Sequence, residues 1–413
     1  MLMKWFFCIL ICLFSYSVSQ AQTYSLDHYL QLAHTNSPLL KDLQNQIASN
    51  QIDSLRLRAG LKPQVNINSG GLYAPVVNGY GYAEAITNEH TLNGLMQVQK
   101  TILGRDNINT QVQTINLQTL SLTNQSKISE QDLRKAITTQ YITAYGDLQQ
   151  YKFSQEVVKL LSTEEDLLKK LTRSNVYRQS DYLTFLVTLK QQELTLTQAR
   201  LLYKNDFATL NYLAGVADTS IRDLDEPGLQ RLNKPDITSS IYFQQYKLDS
   251  LKLINSKQLI DYAYKPKLNV QADGGYNSDF MGQAWKNFGV SAGFGLVIPI
   301  YDGGQRKLQY RKLYLQEETR QNYKAFFDVQ YRQQVAQLNQ QITENETLIA
   351  QIKDQTKYTE SLIKIDMQLM QTGDLHISDL VLAINNYLTI KNLMTQTVIS
   401  RLQLINQLNY WNK

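Results

Sequence analysis

The sequence predicts a mostly α-helical chain with a smaller β portion, built by duplicating one unit of long helices and a β-hairpin. Three observations carry this expectation. Two long stretches lack proline and hold a single glycine each, the apolar period changes twice from helical to strand-like, and the two halves repeat at offsets of 198 and 203 residues. The 413 residues are 19% charged with a formal net charge of +5, too mild for a nucleic-acid partner. A hydrophobic share of 43% and a mean hydropathy of −0.34 exclude a disordered chain and do not suggest a bundle of membrane helices. Forty-five glutamines and 26 tyrosines against seven prolines fit amide-faced helices plus an aromatic-rich element.

The first element is a secretory signal over residues 1–21. Lys4 supplies the positive start, Trp5–Phe14 the apolar run, and Ser19-Gln20-Ala21 the small-residue cleavage pattern. Cys8 and Cys12 both fall inside it, and neither follows the small residue of a lipoprotein signal. The mature chain, from Gln22, therefore lacks cysteine, which excludes disulfides and thiolate metal sites. No later run of apolar residues is long enough for a transmembrane helix.

The long helices come next. Gly146 is the only glycine within 105–214 and Gly373 the only one within 305–413, and both stretches lack proline. Apolar residues follow three-and-four spacing at Ile108, Val112, Ile115 and at Leu133, Ile137, Tyr141, Ala144, Leu148. A narrower stripe runs through Leu338, Ile342, Leu348 and Ile352. Gly104–Thr172 and Gly304–Thr372 would each be about 100 Å long if unbroken. A free coiled coil is the alternative; it calls for strict heptads with charged flanks, and these stripes are irregular and amide-flanked.

The duplication aligns Leu61-Lys62-Pro63-Gln64-Val65-Asn66-Ile67 with Tyr264-Lys265-Pro266-Lys267-Leu268-Asn269-Val270. It also aligns Ser180-Asp181 with Ser378-Asp379, and Leu210-Asn211-Tyr212 with Leu408-Asn409-Tyr410. Asn175 falls on Gly373, the two residue types most tolerant of a left-handed backbone, so both are expected helix-break tips. The expected division is a first repeat over 22–214 with a hairpin near 62–103, a linker over 215–239, and a second repeat over 240–413 with a hairpin near 265–301.

After each Lys-Pro the apolar period becomes 2. The clearest strand is 288–300, with Phe288, Val290, Ala292, Phe294, Leu296, Ile298 and Ile300 on one face and mostly small residues on the other. Such a strand suits a tilted bilayer crossing, with Phe288, Val290, Phe294, Leu296 and Ile298 toward lipid. Tyr80, Tyr82, Phe280 and Trp285 are expected at the hairpin tips as an aromatic girdle. A soluble sheet packed on helices is the alternative. Four strands cannot close on themselves, and an open edge in lipid leaves unpaired backbone groups. Oligomerisation resolves this: two copies give eight strands, three give twelve and room for a lumen.

The signal peptide, the duplicated unit and the segment Val297-Ile298-Pro299-Ile300-Tyr301-Asp302-Gly303-Gly304 together resemble the TolC-like outer membrane efflux protein family. The resemblance implies a homotrimer, a 12-stranded outer-membrane barrel in lipid and a periplasmic α-helical tunnel. It implies docking to a periplasmic adaptor and an inner-membrane transporter, in a tripartite efflux pump or a type I secretion system. Asp166 and Asp379 fall on acidic positions associated with the family's periplasmic gate. Met370 and Leu375 stand where some members carry a gating Tyr and Arg, so only the acidic part of that gate is matched. Helix capping explains Asp181 and competes with the gate for Asp379.

Catalysis finds no support. His28, His34, His90 and His376 are dispersed without spaced carboxylates, so no metal site is expected. Asp302-Gly303-Gly304-Gln305-Arg306 lacks the spacing and lysine of a phosphate loop. No cofactor and no nucleic acid are expected. A soluble periplasmic scaffold or adaptor stays open as the second reading, and an envelope hydrolase is a third that lacks a site.

Overall fold

The computed structural model describes residues 24–83, 90–218, 220–232, 240–279 and 284–413. The expected signal peptide and Phe280 lie outside these residues. In chain order the elements are α1 (Leu26–Asn36), α2 (Pro38–Gly60), β1 (Gln64–Tyr73), β2 (His90–Ile102), α3 (Arg105–Arg173) and α4 (Gln179–Leu213), then α5 (Ile241–Ala263), β3 (Lys267–Ser278), β4 (Phe288–Val297), α6 (Gln305–Thr372) and α7 (Ile377–Trp411). α3 has 69 residues and α6 has 68. The chain is thus mostly helical, with one four-stranded antiparallel sheet of order β1-β2-β3-β4. Two compact units are present, and each draws on both halves of the sequence.

The first unit comprises residues up to 41, 127–240 and 327–413. One of its cores joins Tyr29 and Ala33 of α1, Ile137, Tyr141 and Leu148 of α3, and Tyr203, Phe207 and Leu210 of α4. A second core joins Leu161 and Leu168 of α3, Phe185 and Leu189 of α4, Ile363 and Met370 of α6, and Leu380 and Ile384 of α7. Ile137, Tyr141 and Leu148 are positions of the periodic stripe of α3, buried where helices meet; in the narrower stripe of α6, Leu338, Ile342 and Ile352 are buried and Leu348 is exposed. The lone glycine of α3 has a steric cause: a Cβ on Gly146 would lie 2.9 Å from Cγ1 of Ile399 in α7.

The repeated Leu-Asn-Tyr motif also acquires a reason. Asn211 accepts from the Tyr29 hydroxyl at 2.9 Å and donates to the Asp218 carbonyl at 2.6 Å. Asn409 donates to the Gln230 carbonyl at 2.8 Å and accepts from the Leu232 amide at 2.9 Å. In both halves the asparagine pins the irregular chain beside the end of its helix.

The second unit, 42–126 and 241–326, holds the sheet. Its helices meet through polar groups: Asn255 donates to the Thr114 hydroxyl at 2.7 Å, and Asn124 to the Ile241 carbonyl at 3.0 Å. The amide-rich composition therefore serves helix pairing as well as solvation. Asp302 caps α6, accepting from the Gly304 amide at 2.8 Å and the Arg306 amide at 2.7 Å. The glycines beside it take φ of +67° and +83°, so this segment is a strand-to-helix turn.

Candidate functional site

The sheet and the helix reversals hold the residues that the sequence singles out. In an antiparallel pair, directly opposed residues share a face. The register sets Val65 opposite Val98 and Ile67 opposite Met96, then Ile102 opposite Leu268 and Val98 opposite Ala272. It continues with Val270 opposite Phe294 and Leu268 opposite Leu296. One face is therefore apolar across all four strands. The other pairs Asn66 with Gln97, Gln99 with Gln271, and Asp273 with Ser291. That face is lined by amides and hydroxyls that bond across strands: Asn68 to Gln97 at 2.8 Å, Ser291 to Asp273 at 2.7 Å.

Among the described residues, neither face is covered by another element. Val290 is 92% exposed and Phe294 81%, and Phe288 and Leu296 are exposed as well. Tyr80, Tyr82 and Trp285 are exposed too. The ladder of β4 ends at Val297, opposite Lys267, which is shorter than the alternation through Ile300 suggests. Its partner β3 begins directly after Pro266, and Pro299 has no N–H to continue the ladder. Ile298, expected in the strand, thus lies just beyond it.

The reversals belong to the first unit. Between α3 and α4, the Val176 amide donates to the Leu171 carbonyl at 3.0 Å and the Asn175 amide to the Thr172 carbonyl at 3.1 Å. Between α6 and α7, the Asp374 amide donates to the Leu369 carbonyl at 3.1 Å and the Gly373 amide to the Met370 carbonyl at 3.3 Å. Both are Schellman closures around a left-handed residue, Asn175 at φ +61° and Gly373 at φ +81°. The two turns touch. A Cβ on Gly373 would lie 2.7 Å from Cγ1 of Val176, and the buried Tyr177 hydroxyl donates to the Met370 carbonyl at 3.1 Å.

The acidic residues differ in their roles. Asp181 accepts from the Arg178 amide at 3.1 Å, a helix cap. Its counterpart Asp379 is exposed and accepts from the Ser378 hydroxyl at 3.4 Å, with no side-chain cap at the start of α7. Asp166 is exposed on α3. Asp366 of α6 is 7% exposed, and its carboxyl is pushed up, first by burial and then by the charge of Asp379. Tyr177 and Asp366 belong to no motif or repeat that the sequence marks out. Asp366 had a visible signal: an acid on the stripe that buries Ile363 and Met370.

Among the described residues no group of three or more His, Cys, Asp or Glu could hold a metal ion, and no helix is long and apolar enough to cross a membrane. In its fold, a two-faced sheet on long helices, the chain resembles outer-membrane channels of the TolC family. It is similar to CusC, described as forming a transmembrane channel, at TM-score 0.78 and 10% identity over 96% of this chain and 95% of that one. It is similar to the outer membrane protein VceC from Vibrio cholerae at TM-score 0.76 and 13% identity, over 94% and 96%. The open state of the MtrE outer membrane channel of Neisseria gonorrhoeae matches at TM-score 0.76 and 11% identity, over 94% and 88%. No family model and no curated relative matches the sequence.

Proposed function

We propose that this protein is an outer-membrane exit duct, a passive conduit of a tripartite efflux pump or type I secretion system. In this reading a periplasmic adaptor and an inner-membrane transporter feed it. The observation that carries the reading is the sheet with one continuous apolar face, one amide-lined face and two unpaired outer edges. Lipid suits the first face and a water-filled lumen the second. The unpaired edges of β1 and β4 would each cost several kcal/mol per backbone group in lipid, so copies must join edge to edge. Three copies give twelve strands and a lumen, hence a homotrimer. Exposed apolar stripes on α6 (Tyr358, Leu362, Ile365, Leu369) and on α4 (Leu183, Val187, Leu194, Leu201) would be covered in the same association, forming the tunnel.

Residues 22–214 and 240–413 serve as the two repeats, joined by 215–239 and preceded by a cleavable signal. The tips at Asn175 and Gly373 form the periplasmic entrance, where Asp379 and Asp166 line the gate. The protein is a channel and not an enzyme.

The test is fractionation, cross-linking in detergent and planar-bilayer recording of the purified oligomer. A cross-linked trimer from the outer-membrane fraction that conducts ions is the expected result; a folded monomer stable in lipid overturns the edge argument. Phe294→Arg should impair membrane assembly by about 2–4 kcal/mol near the midplane, and Gly293→Ser far less. Equal tolerance of both would reverse the assignment of faces.

A further inference from the structure

We propose that the end of the sheet that joins the helices is an electrostatic seat for anionic phospholipid headgroups, one that selects the periplasmic leaflet. This rests on the reading of the apolar face as lipid-facing. The register brings four chain segments to that end, since Gln64 opposes Gln99, Ile102 opposes Leu268 and Lys267 opposes Val297. The segments are 53–63, 99–106, 257–267 and 301–312. Together they carry twelve Lys and Arg against four Asp, a net charge of +8 in a chain whose total is +5.

Few of these cations are neutralised. Arg56 pairs with Asp53 at 2.8 Å and Arg306 with Asp261 at 2.7 Å. The other ten are exposed, with no ion pair among the described residues. At the opposite end the described connecting residues, 74–83, 279 and 284–287, carry only Asp279 and Lys286, which cancel. Only Asp273 is charged along the strands between the two ends. The apolar face is thus bounded by a strongly positive end, and the described residues at its other end add no net charge.

Lipid is the occupant because the cations are interleaved with what an acyl–headgroup boundary takes up. Tyr301 is exposed beside the last apolar positions, and Leu308 and Leu315 are exposed on α6 around Arg311 and Lys312. The Arg311 guanidinium lies 5.1 Å from the Tyr314 ring and the Lys265 ammonium 4.4 Å from the Tyr262 ring. Amphipathic side chains of this kind keep their stems on apolar surface and place the charge at phosphate level. A soluble polyanion would need the charge but not the adjoining apolar and aromatic surface.

The experiment uses the full chain, reconstituted in vesicles of phosphatidylcholine with equal phosphatidylglycerol, extracted mildly, with retained lipid quantified by mass spectrometry. Wild type should retain phosphatidylglycerol in excess, and the excess should fall as salt rises. The triple change Lys307→Gln, Arg311→Gln, Lys312→Gln should reduce the preference about fivefold per charge, roughly a hundredfold in all. A control triple of exposed cations in the other unit, Lys127→Gln, Arg200→Gln, Lys204→Gln, should leave it unchanged. No preference in wild type, a salt-independent one, or equal loss in both triples overturns the proposal. Preference for lipopolysaccharide over phosphatidylglycerol overturns the leaflet assignment. Conductance in pure phosphatidylcholine separates the two readings: if it is lost, the duct fails; if it persists without headgroup preference, only this proposal fails.

Discussion

At Asn175 the left-handed residue faces solvent, whereas at Gly373 the same backbone conformation is pressed against Val176. The hydrogen-bond pattern of the two reversals is identical, so duplication kept the turn while the surroundings diverged. The first reversal is self-sufficient: Asp181 caps its outgoing helix, and Tyr177 reaches across to the Met370 carbonyl. The second supplies a carbonyl, a bare Cα and a helix start whose aspartate is not engaged as a cap. The lesson is an asymmetry of support, with the first turn bracing the second and leaving Asp379 free for another use.

The strongest way to break this comparison is to exchange the tip residues. Gly373→Ala should cost about 1–2 kcal/mol for the left-handed backbone, and roughly 1–3 kcal/mol more for the methyl driven against Val176. Asn175→Gly should be close to neutral, because nothing presses on that position. Adding Val176→Ala to Gly373→Ala should restore the steric part and not the backbone part, which a double-mutant cycle in urea denaturation measures. An equal cost at both tips would remove the asymmetry.

The bracing hydroxyl comes second. Tyr177→Phe keeps the ring in its core and removes one of the two donors to the Met370 carbonyl, which keeps the Gly373 amide, at a cost of about 1 kcal/mol. The amides around 369–374 should then exchange hydrogen faster than those around 171–176. Equal acceleration at both turns would show that Tyr177 does not brace the second one.

The capping contrast is smaller. Asp181→Ala should lose about 1 kcal/mol, the value of an N-terminal cap, while Asp379→Ala should lose almost nothing. If both lose the same, Asp379 is a cap and its role as a gate residue is withdrawn.

Most of the architecture was legible because it depends on local chemistry. The absence of proline and the scarcity of glycine set the length of α3 and α6, and alternation after Pro63 and Pro266 marked the strands. The left-handed tips could be read because Asn and Gly are the residues that tolerate that backbone. What escaped was non-local. Nothing near Tyr177 in sequence indicates a carbonyl at position 370, and the β4 ladder ends where its partner does, a fact that its own alternation cannot contain. The two faces of the sheet are each visible strand by strand, but only the register joins them into one apolar and one amide-lined surface.

The smallest effect concerns the charge that Asp379 places beside Asp366. Burial raises the Asp366 carboxyl above its unfolded value, and the Asp379 charge raises it further. A group raised in the folded state contributes stability that is fully present below its unfolded pKa and is lost as pH rises through the folded one. Asp379→Asn removes the second cause, so the loss should be smaller and should end at lower pH. Above that range, where wild type sets two carboxylates together, the variant should melt about 1 °C higher. Asp366→Asn should flatten this part of the profile altogether. If Asp379 lines the proposed entrance, the same Asp379→Asn should in planar bilayers lower cation selectivity and weaken block by multivalent cations. A variant that melts lower at every pH and conducts like wild type would assign Asp379 to the helix start. One that melts slightly higher and selects less would assign it to the gate, because only a carboxylate unused by the helix can lose its charge without harm to the fold.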